Sequence, residues 1–288
     1  MKHALEGFLA HAVFGLFKAL PLDTASALGG GLLRTLGPRL SVSKRARRNL
    51  TRAFPEKTPA EIETIVRAMW DNLGRTTAEF AHLPEFDPYG DDGRVVVEGA
   101  EHIDLLRDDG KPGLFFACHL DNWEVQIFAL TRRGIPAAVT YRASNNPKVE
   151  ALYHRARSGP FSGTWIAKGA KGARKIIDTL RQGGHVAMLV DQKMNDGIPV
   201  PFFGRDAMTA PALAQLALKY GCPVVPCRIR RTTGARFRIT FLPPMTLPDS
   251  GDRVADVASL MQAVNALIED WVREEPAQWL WLHRRWPD

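Results

Sequence analysis

The run Phe115-Phe116-Ala117-Cys118-His119-Leu120-Asp121-Asn122-Trp123-Glu124 brings a histidine to the end of an apolar stretch and a carboxylate five residues later. A histidine beside a carboxylate can take a proton from a hydroxyl, which points to acyl or phosphoryl transfer onto an alcohol. Glu124 would fix the ring by accepting its Nδ1 proton, as the carboxylate of a catalytic triad does. Residues five apart do not share a face of one continuous helix. His119 must therefore precede the first turn and fold back over Glu124. A competing reading needs no chemistry, because Asp121 followed by Glu124 is itself the pattern of a helix-capping box. Cys118 adjoins His119, but neighbouring side chains on a strand point to opposite faces, which argues against a thiol nucleophile.

Such a pair needs a strand to deliver it. Short β-rich runs recur at Val95–Val97, Gly113–Cys118, Ala137–Tyr141, Thr164–Ala167, His185–Val190 and Val224–Arg230. Helical patterns at 121–132, 147–158, 170–182 and 209–220 alternate with them. The alternation predicts an α/β fold, a mostly parallel central sheet flanked by helices. Arg236–Leu242 is expected as an added edge strand and 252–275 as a closing helix. Residues 1–90 read as a helical N-terminal extension, continuous with an α/β core over 91–288. Within it, Thr58-Pro59-Ala60-Glu61 supplies a cap, a first-turn proline and an acidic first turn. Ligands of open sheets gather at the carboxyl ends of strands, so Asp191, which follows the run His185–Val190, is expected at the same edge as His119. It would orient a neighbour there, hold a basic residue, or cap the loop.

The chain has 288 residues, 45% hydrophobic and 24% charged, ordinary values for a soluble or peripheral globular protein. Lysines and arginines number 38 against 31 acidic residues, a formal charge of +7 that favours an acidic partner. Three cysteines at dispersed positions fit free thiols in a reducing compartment, and no Cys/His spacing suggests a metal. Phe8–Phe17 is apolar but too short to span a bilayer and is bounded by Glu6 and Lys18. It suits a helix lying in a membrane interface with Phe8, Phe14 and Phe17 as anchors, or equally a helix packed on its own domain.

The stretch Ala117–Glu124 resembles the first motif of the late acyltransferases of lipid A biosynthesis, within the wider His-x4-Asp/Glu glycerolipid acyltransferase-like superfamily. Arg48-Asn49-Leu50 through Phe54-Pro55-Glu56, Tyr141-Arg142 with Asn146-Pro147, Met188–Gln192 leading to Pro201–Gly204, Pro223–Pro226, and Gln278–Trp286 are similar to further segments of that family in the same order. The resemblance implies transfer of a fatty acyl chain from an acyl-carrier-protein thioester to a hydroxyl of a lipid A precursor. It implies His119 as general base, no metal and no cofactor, and a peripheral or N-terminally anchored place at the cytoplasmic face of the bacterial inner membrane. The expected partners are acyl carrier protein, an anionic lipid acceptor and the membrane surface, with no nucleic acid.

Catalysis is then expected of His119, Glu124 and Asp191. Arg142 would bind a sugar phosphate or an oxyanion, and Lys168, Lys171, Arg174 and Lys193 would form a rim for an anionic ligand, if they are not simply a solvated face. Phe202 and Phe203 would line an acyl tunnel, or equally a core loop. Trp279, Trp281 and Trp286 with Arg284 and Arg285 suit the level of lipid headgroups, or else pack on the sheet. Two other readings stay open: O-acylation of another lipid or glycolipid, and a non-catalytic basic membrane-binding or nucleic-acid-binding protein. The latter leans on the arginines near Arg45 and the run Arg228–Arg231, without a recognisable nucleic-acid module.

Overall fold

The computed structural model describes residues 2–158 and 162–286. Four helices come first: α1 (Lys2–Lys18), α2 (Leu22–Leu36), α3 (Ser43–Ala53) and α4 (Pro59–Glu79). The start of α4 is the capping box expected from its sequence: Glu61 N–H donates to the Thr58 hydroxyl, and the Glu61 carboxylate accepts from the Thr58 backbone N–H. Helices α2 and α4 meet where Gly29 faces Gly74. A Cβ on either would collide with the other's carbonyl, so only glycine permits this approach.

The core then alternates β1 (Val95–Glu98), α5 (Ala100–Asp108), β2 (Gly113–Ala117), α6 (Gln126–Arg132), β3 (Ala138–Tyr141), α7 (Pro147–Ser158), β4 (Thr164–Ala167), α8 (Ala170–Arg181) and β5 (His185–Leu189). A hairpin of β6 (Lys193–Phe202) and β7 (Arg205–Thr209), helix α9 (Ala212–Tyr220), strands β8 (Val224–Thr233) and β9 (Arg236–Phe241) and the long α10 (Arg253–Glu274) complete it. The main sheet has seven strands in the order β1-β9-β8-β2-β5-β3-β4. Strands β8, β2, β5, β3 and β4 run parallel. Strand β9 is antiparallel to β8, and β1 is parallel to β9. The expected edge strand Arg236–Leu242 is thus interior, covered by β1. The α/β class and the mostly parallel sheet are as the alternation of strands and helices requires.

Strand β2 is buried along its whole length and lies at the middle of the sheet. Its alternate side chains serve two cores: Leu114, Phe116 and Cys118 face one with α3, α4 and α10, whereas Phe115 and Ala117 face the other with α6. Two expectations shift here. The helix expected from 121 begins only at Gln126, because Asp121 adopts a left-handed φ of 45° and breaks the helix that its capping pattern announced. The β6–β7 hairpin was not expected. Its turn places Phe203 and Gly204 at φ of 52° and 66°, the two positive angles that a tight two-residue hairpin demands.

Candidate active site

His119 follows β2 and Asp191 follows β5, the strand hydrogen-bonded beside it, so both leave the sheet at one carboxyl edge. The contact is direct. His119 Nδ1 donates to Asp191 Oδ1 at 2.7 Å, and the His119 backbone N–H donates to Oδ2 at 2.9 Å. Trp279 Nε1 donates to Oδ2 at 2.8 Å. Burial alone would push the Asp191 carboxyl up. The charge of His119, its two hydrogen bonds and that of Trp279 outweigh burial and hold the group well below the usual carboxylate range. The histidine is therefore fixed in one orientation with Nε2 turned outward, 3.1 Å from the Gln192 side-chain amide, and Trp123 packs edge-on at 5.1 Å.

Glu124 is not the partner of the ring. Its carboxylate accepts from Arg157 Nε at 2.8 Å and from Nη2 at 2.5 Å. Arg157 in turn lies over Trp165 at 4.6 Å and within 6 Å of Phe80, Tyr141 and Tyr153. The turn at Asp121 sends the chain away from the histidine, and an arginine from α7 claims the carboxylate that sequence spacing had offered to the ring. Both groups nevertheless line the same cavity.

That cavity has a volume of about 560 Å³, within the usual range for small-molecule pockets. His119, Glu124, Arg157, Gln192 and His283 stand around its polar end, and Phe14, Phe17, Phe80, Ile127 and Leu152 are among the residues of its apolar walls. Arg142 and Lys168 line it as well, both exposed at the rim. Partial desolvation draws the Lys168 ammonium below its ordinary value, against the opposing pull of Asp191. Among the described residues no group of three or more His, Cys, Asp or Glu side chains is disposed to hold a metal ion.

Several expected site residues lie elsewhere. Arg174 is exposed on α8, and neither it nor Lys171 or Lys193 lines the cavity. Phe202 and Phe203 are buried in the opposite core, with Phe203 against Phe54 at 5.3 Å and Phe202 against Trp286 at 5.6 Å. The apolar wall of the cavity is supplied instead by α1, α4, α6 and α7. Trp279, Trp281, Trp286 and Arg285 are buried too, so of that expected headgroup cluster only Arg284 is exposed. Arg285 donates to Thr209 and Asn265 inside the core. Phe14 and Phe17 turn toward the cavity, leaving Phe8 of the three expected anchors well exposed. Cys118 is buried on the far face, and desolvation pushes its thiol well above the ordinary value.

Sequence reasoning missed the parts played by Arg157, Gln192, His283 and Trp279. Gln192 and Trp279 stand in segments already singled out, next to Asp191 and within Gln278–Trp286. Nothing in the local pattern shows that those segments converge on His119. They do so through main-chain contacts: Leu120 forms an isolated bridge with Trp279, Asp121 N–H donates to Gln278 O at 3.0 Å, and Leu280 N–H donates to His119 O at 3.2 Å.

Comparison with known sequences spans the whole chain. The profile of the bacterial lipid A biosynthesis acyltransferases matches residues 1–288. The chain is 29% identical over 248 residues to the lipid A biosynthesis myristoyltransferase of Escherichia coli (strain K12), covering 84% of this chain and 74% of that one. It is 27% identical over 292 residues to the lipid A biosynthesis lauroyltransferase of the same organism, covering 96% and 90%. With the palmitoleoyltransferase it shares 25% over 250 residues, 83% and 77% of the two chains. A match from end to end, with a histidine held at the head of an apolar cavity, makes this chain a member of the bacterial lipid A biosynthesis acyltransferase family.

Proposed function

We propose that the protein moves a fatty acyl chain from an acyl-carrier-protein thioester to a hydroxyl of a lipid A precursor, with His119 as the general base. The observation that carries this reading is the pair His119–Asp191 at the polar end of a cavity whose remaining walls are apolar. Asp191 holds the Nδ1 proton, so Nε2 offers a lone pair to the cavity. The acceptor hydroxyl takes the place of the Gln192 amide on Nε2 and gives up its proton as its oxygen attacks the thioester carbonyl. The C–S bond then breaks, and the imidazolium returns the proton to the departing thiolate. Asp191 stabilises the ring while it is charged. Arg157, Arg142 and Lys168 supply positive charge around the polar end, suited to a phosphorylated acceptor.

The reaction takes place at a membrane surface, the cytoplasmic leaflet of the inner membrane. No helix among the described residues is long and apolar enough to cross a bilayer. Support for surface attachment comes from Leu5, Phe8, Leu9, Val13 and Leu16 on α1 and Leu28, Leu32 and Leu36 on α2, all among the exposed large apolar side chains, with Leu40 just beyond. An exposed apolar set of this kind marks an interaction site, and a helix that presents it beside a fatty-chain cavity suits a lipid interface.

The test is a purified-enzyme assay with acyl-carrier-protein thioesters and a panel of lipid A precursors, with products weighed by mass spectrometry. The expected product is the precursor heavier by one acyl group, with free carrier thiol released in equal amount. Thioester left unconsumed in the presence of every precursor would overturn the reading.

A further inference from the structure

Helix α1 is attached to the protein unevenly. Neither core includes one of its described residues, and of these only Gly7 is buried. Its inner face, Ala10, Val13, Phe14 and Phe17, lines the cavity that holds His119, whereas Leu5, Phe8, Leu9 and Leu16 are exposed. The C-terminal end is held to residues 80–85. There the buried His82 donates from Nε2 to Phe17 O at 2.9 Å, and Lys18 Nζ donates to Glu85 Oε1 at 3.0 Å, an oxygen that also lies 2.7 Å from His82 Nδ1. The N-terminal end rests on the start of α7. Asn146 Nδ2 donates to His3 O at 2.9 Å and to Glu6 Oε2 at 3.2 Å, and Gly7 lies against Lys148. Residues 19–21 lie between α1 and α2 and belong to neither.

Swinging α1 off α7 would uncover the cavity and bare Ala10, Val13, Phe14 and Phe17. In water that movement is unfavourable, because it hydrates apolar surface. In a bilayer it is not, since both faces of the helix and the mouth of the cavity meet hydrocarbon. A bilayer therefore favours the open form over the closed one, and such a difference in affinity is what shifts a conformational equilibrium. A protein partner laid on the outer face would not do the same. That face is uncovered in both forms, and a ligand with equal affinity for two states shifts nothing.

We infer that lipid chains enter the cavity from the bilayer through the seam between α1 and α7, with α1 acting as a lid hinged at residues 19–21. This rests on the lipid-acylating reading proposed above and adds the route by which a membrane-borne chain reaches His119. Val149, Leu152 and Tyr153 on α7 form the fixed side of the seam. Asn146 is its catch, because its two hydrogen bonds tie the free end of the lid shut. With 17 residues the lid is about 25 Å long, so a swing of about 30° carries its free end through about 13 Å.

The experiment uses the full-length chain, whose own cysteines are buried. Spin labels on A4C/K175C, both exposed positions, report the distance from α1 to α8 by pulsed electron resonance. It is measured in buffer and on vesicles of phosphatidylethanolamine and phosphatidylglycerol in equal parts. Buffer should give a single distance, and vesicles should add a second one displaced by about 10 Å. Adding N146A, which removes the catch, should raise the displaced share on the same vesicles by about twofold or more. A second variant, G7C/K148C, closes the seam covalently. A Cβ on residue 7 would lie 2.8 Å from that of Lys148, so a disulfide needs about 1 Å of adjustment. Once oxidised, this variant should acylate a vesicle-borne acceptor about tenfold more slowly than after reduction, with the wild type indifferent to the oxidant. Failure of the protein to float with the vesicles, an unchanged distance when it does, or an oxidised variant as active as the reduced one would overturn the inference. If the wild type acylates no acceptor but the displaced distance appears, the transferase reading falls and the lid stands.

Discussion

Two carboxylates stand near His119, one bonded to its ring and one lining the same cavity, and their neighbourhoods differ in kind. Asp191, 72 residues away in the chain, is buried and accepts from an imidazole, a backbone N–H and an indole. Glu124, five residues away, is paired with a guanidinium enclosed by aromatic rings. The first fixes the orientation of the imidazole by accepting its Nδ1 proton and would stabilise the ring if it gained a second. The second neutralises and aims a permanent cation. Nearness in sequence therefore says little about which carboxylate works with a histidine. The adjacent strand decides it, because parallel neighbours bring their carboxyl ends to one edge.

The sharpest way to break this comparison is to remove each group in turn. His119→Ala should lower kcat by about 10²–10⁴, the usual worth of a positioned general base, measured as acyl transfer at saturating substrates. Asp191→Asn should follow, at about 10² or more, with loss concentrated in kcat because the ring loses its orientation and the partner of its charged form. Glu124→Gln should cost less in kcat, about tenfold, and raise KM for a phosphorylated acceptor. A larger kcat loss for Glu124→Gln than for Asp191→Asn would exchange the roles of the two carboxylates.

A second measurement on Glu124 concerns folding. Arg157→Ala leaves the largely buried Glu124 carboxylate without its cation, which should destabilise the protein by about 3–5 kcal/mol. The double variant Arg157→Ala/Glu124→Gln should recover part of that loss in a denaturant titration. No recovery would mean that the aromatic cage, not the ion pair, carries the stability.

The smallest expected effect is a pH dependence. Desolvation first, and then the nearby cations, pull His283 down to about 4 from its ordinary 6.5, although Asp191 opposes the shift. Between those values the unfolded chain binds a proton that the folded one refuses, so acidification favours unfolding. The stability tied to this group is fully present above pH 6.5 and is lost as pH falls toward 4. His283→Gln should flatten that part of the thermal midpoint against pH. An unaltered slope would show that His283 takes up its proton in the folded protein.

Much of the frame was legible. The change from helical to alternating periodicity marked the α/β core, and the apolar runs located β2 and β5. The Thr58–Glu61 cap placed the start of α4, because capping is decided by residues three apart. The same rule failed at Asp121, where tertiary contacts held the residue at positive φ and replaced a cap with a turn. The site was legible as two strand ends and no further. Arg157 and His283 reach it from separate elements, and their contacts have no local signature. The phenylalanines of 202–203 misled for a related reason. Apolar composition does not distinguish a lipid-binding wall from a core, and these two rings are taken by the buried tryptophans of residues 279–286.

The main-chain lacing between residues 119–121 and 278–280 bears on when the protein becomes competent during its own synthesis. The sheet can assemble once β9 has been made, with Asp191 already on His119, but the main-chain partners of residues 119–121 at 278–280 are made only some 160 residues after them. A nascent chain halted after α10 would hold a nearly whole scaffold and a His119 loop without its main-chain ties to residues 278–280. The site is thereby finished only with the tryptophan-bearing segment.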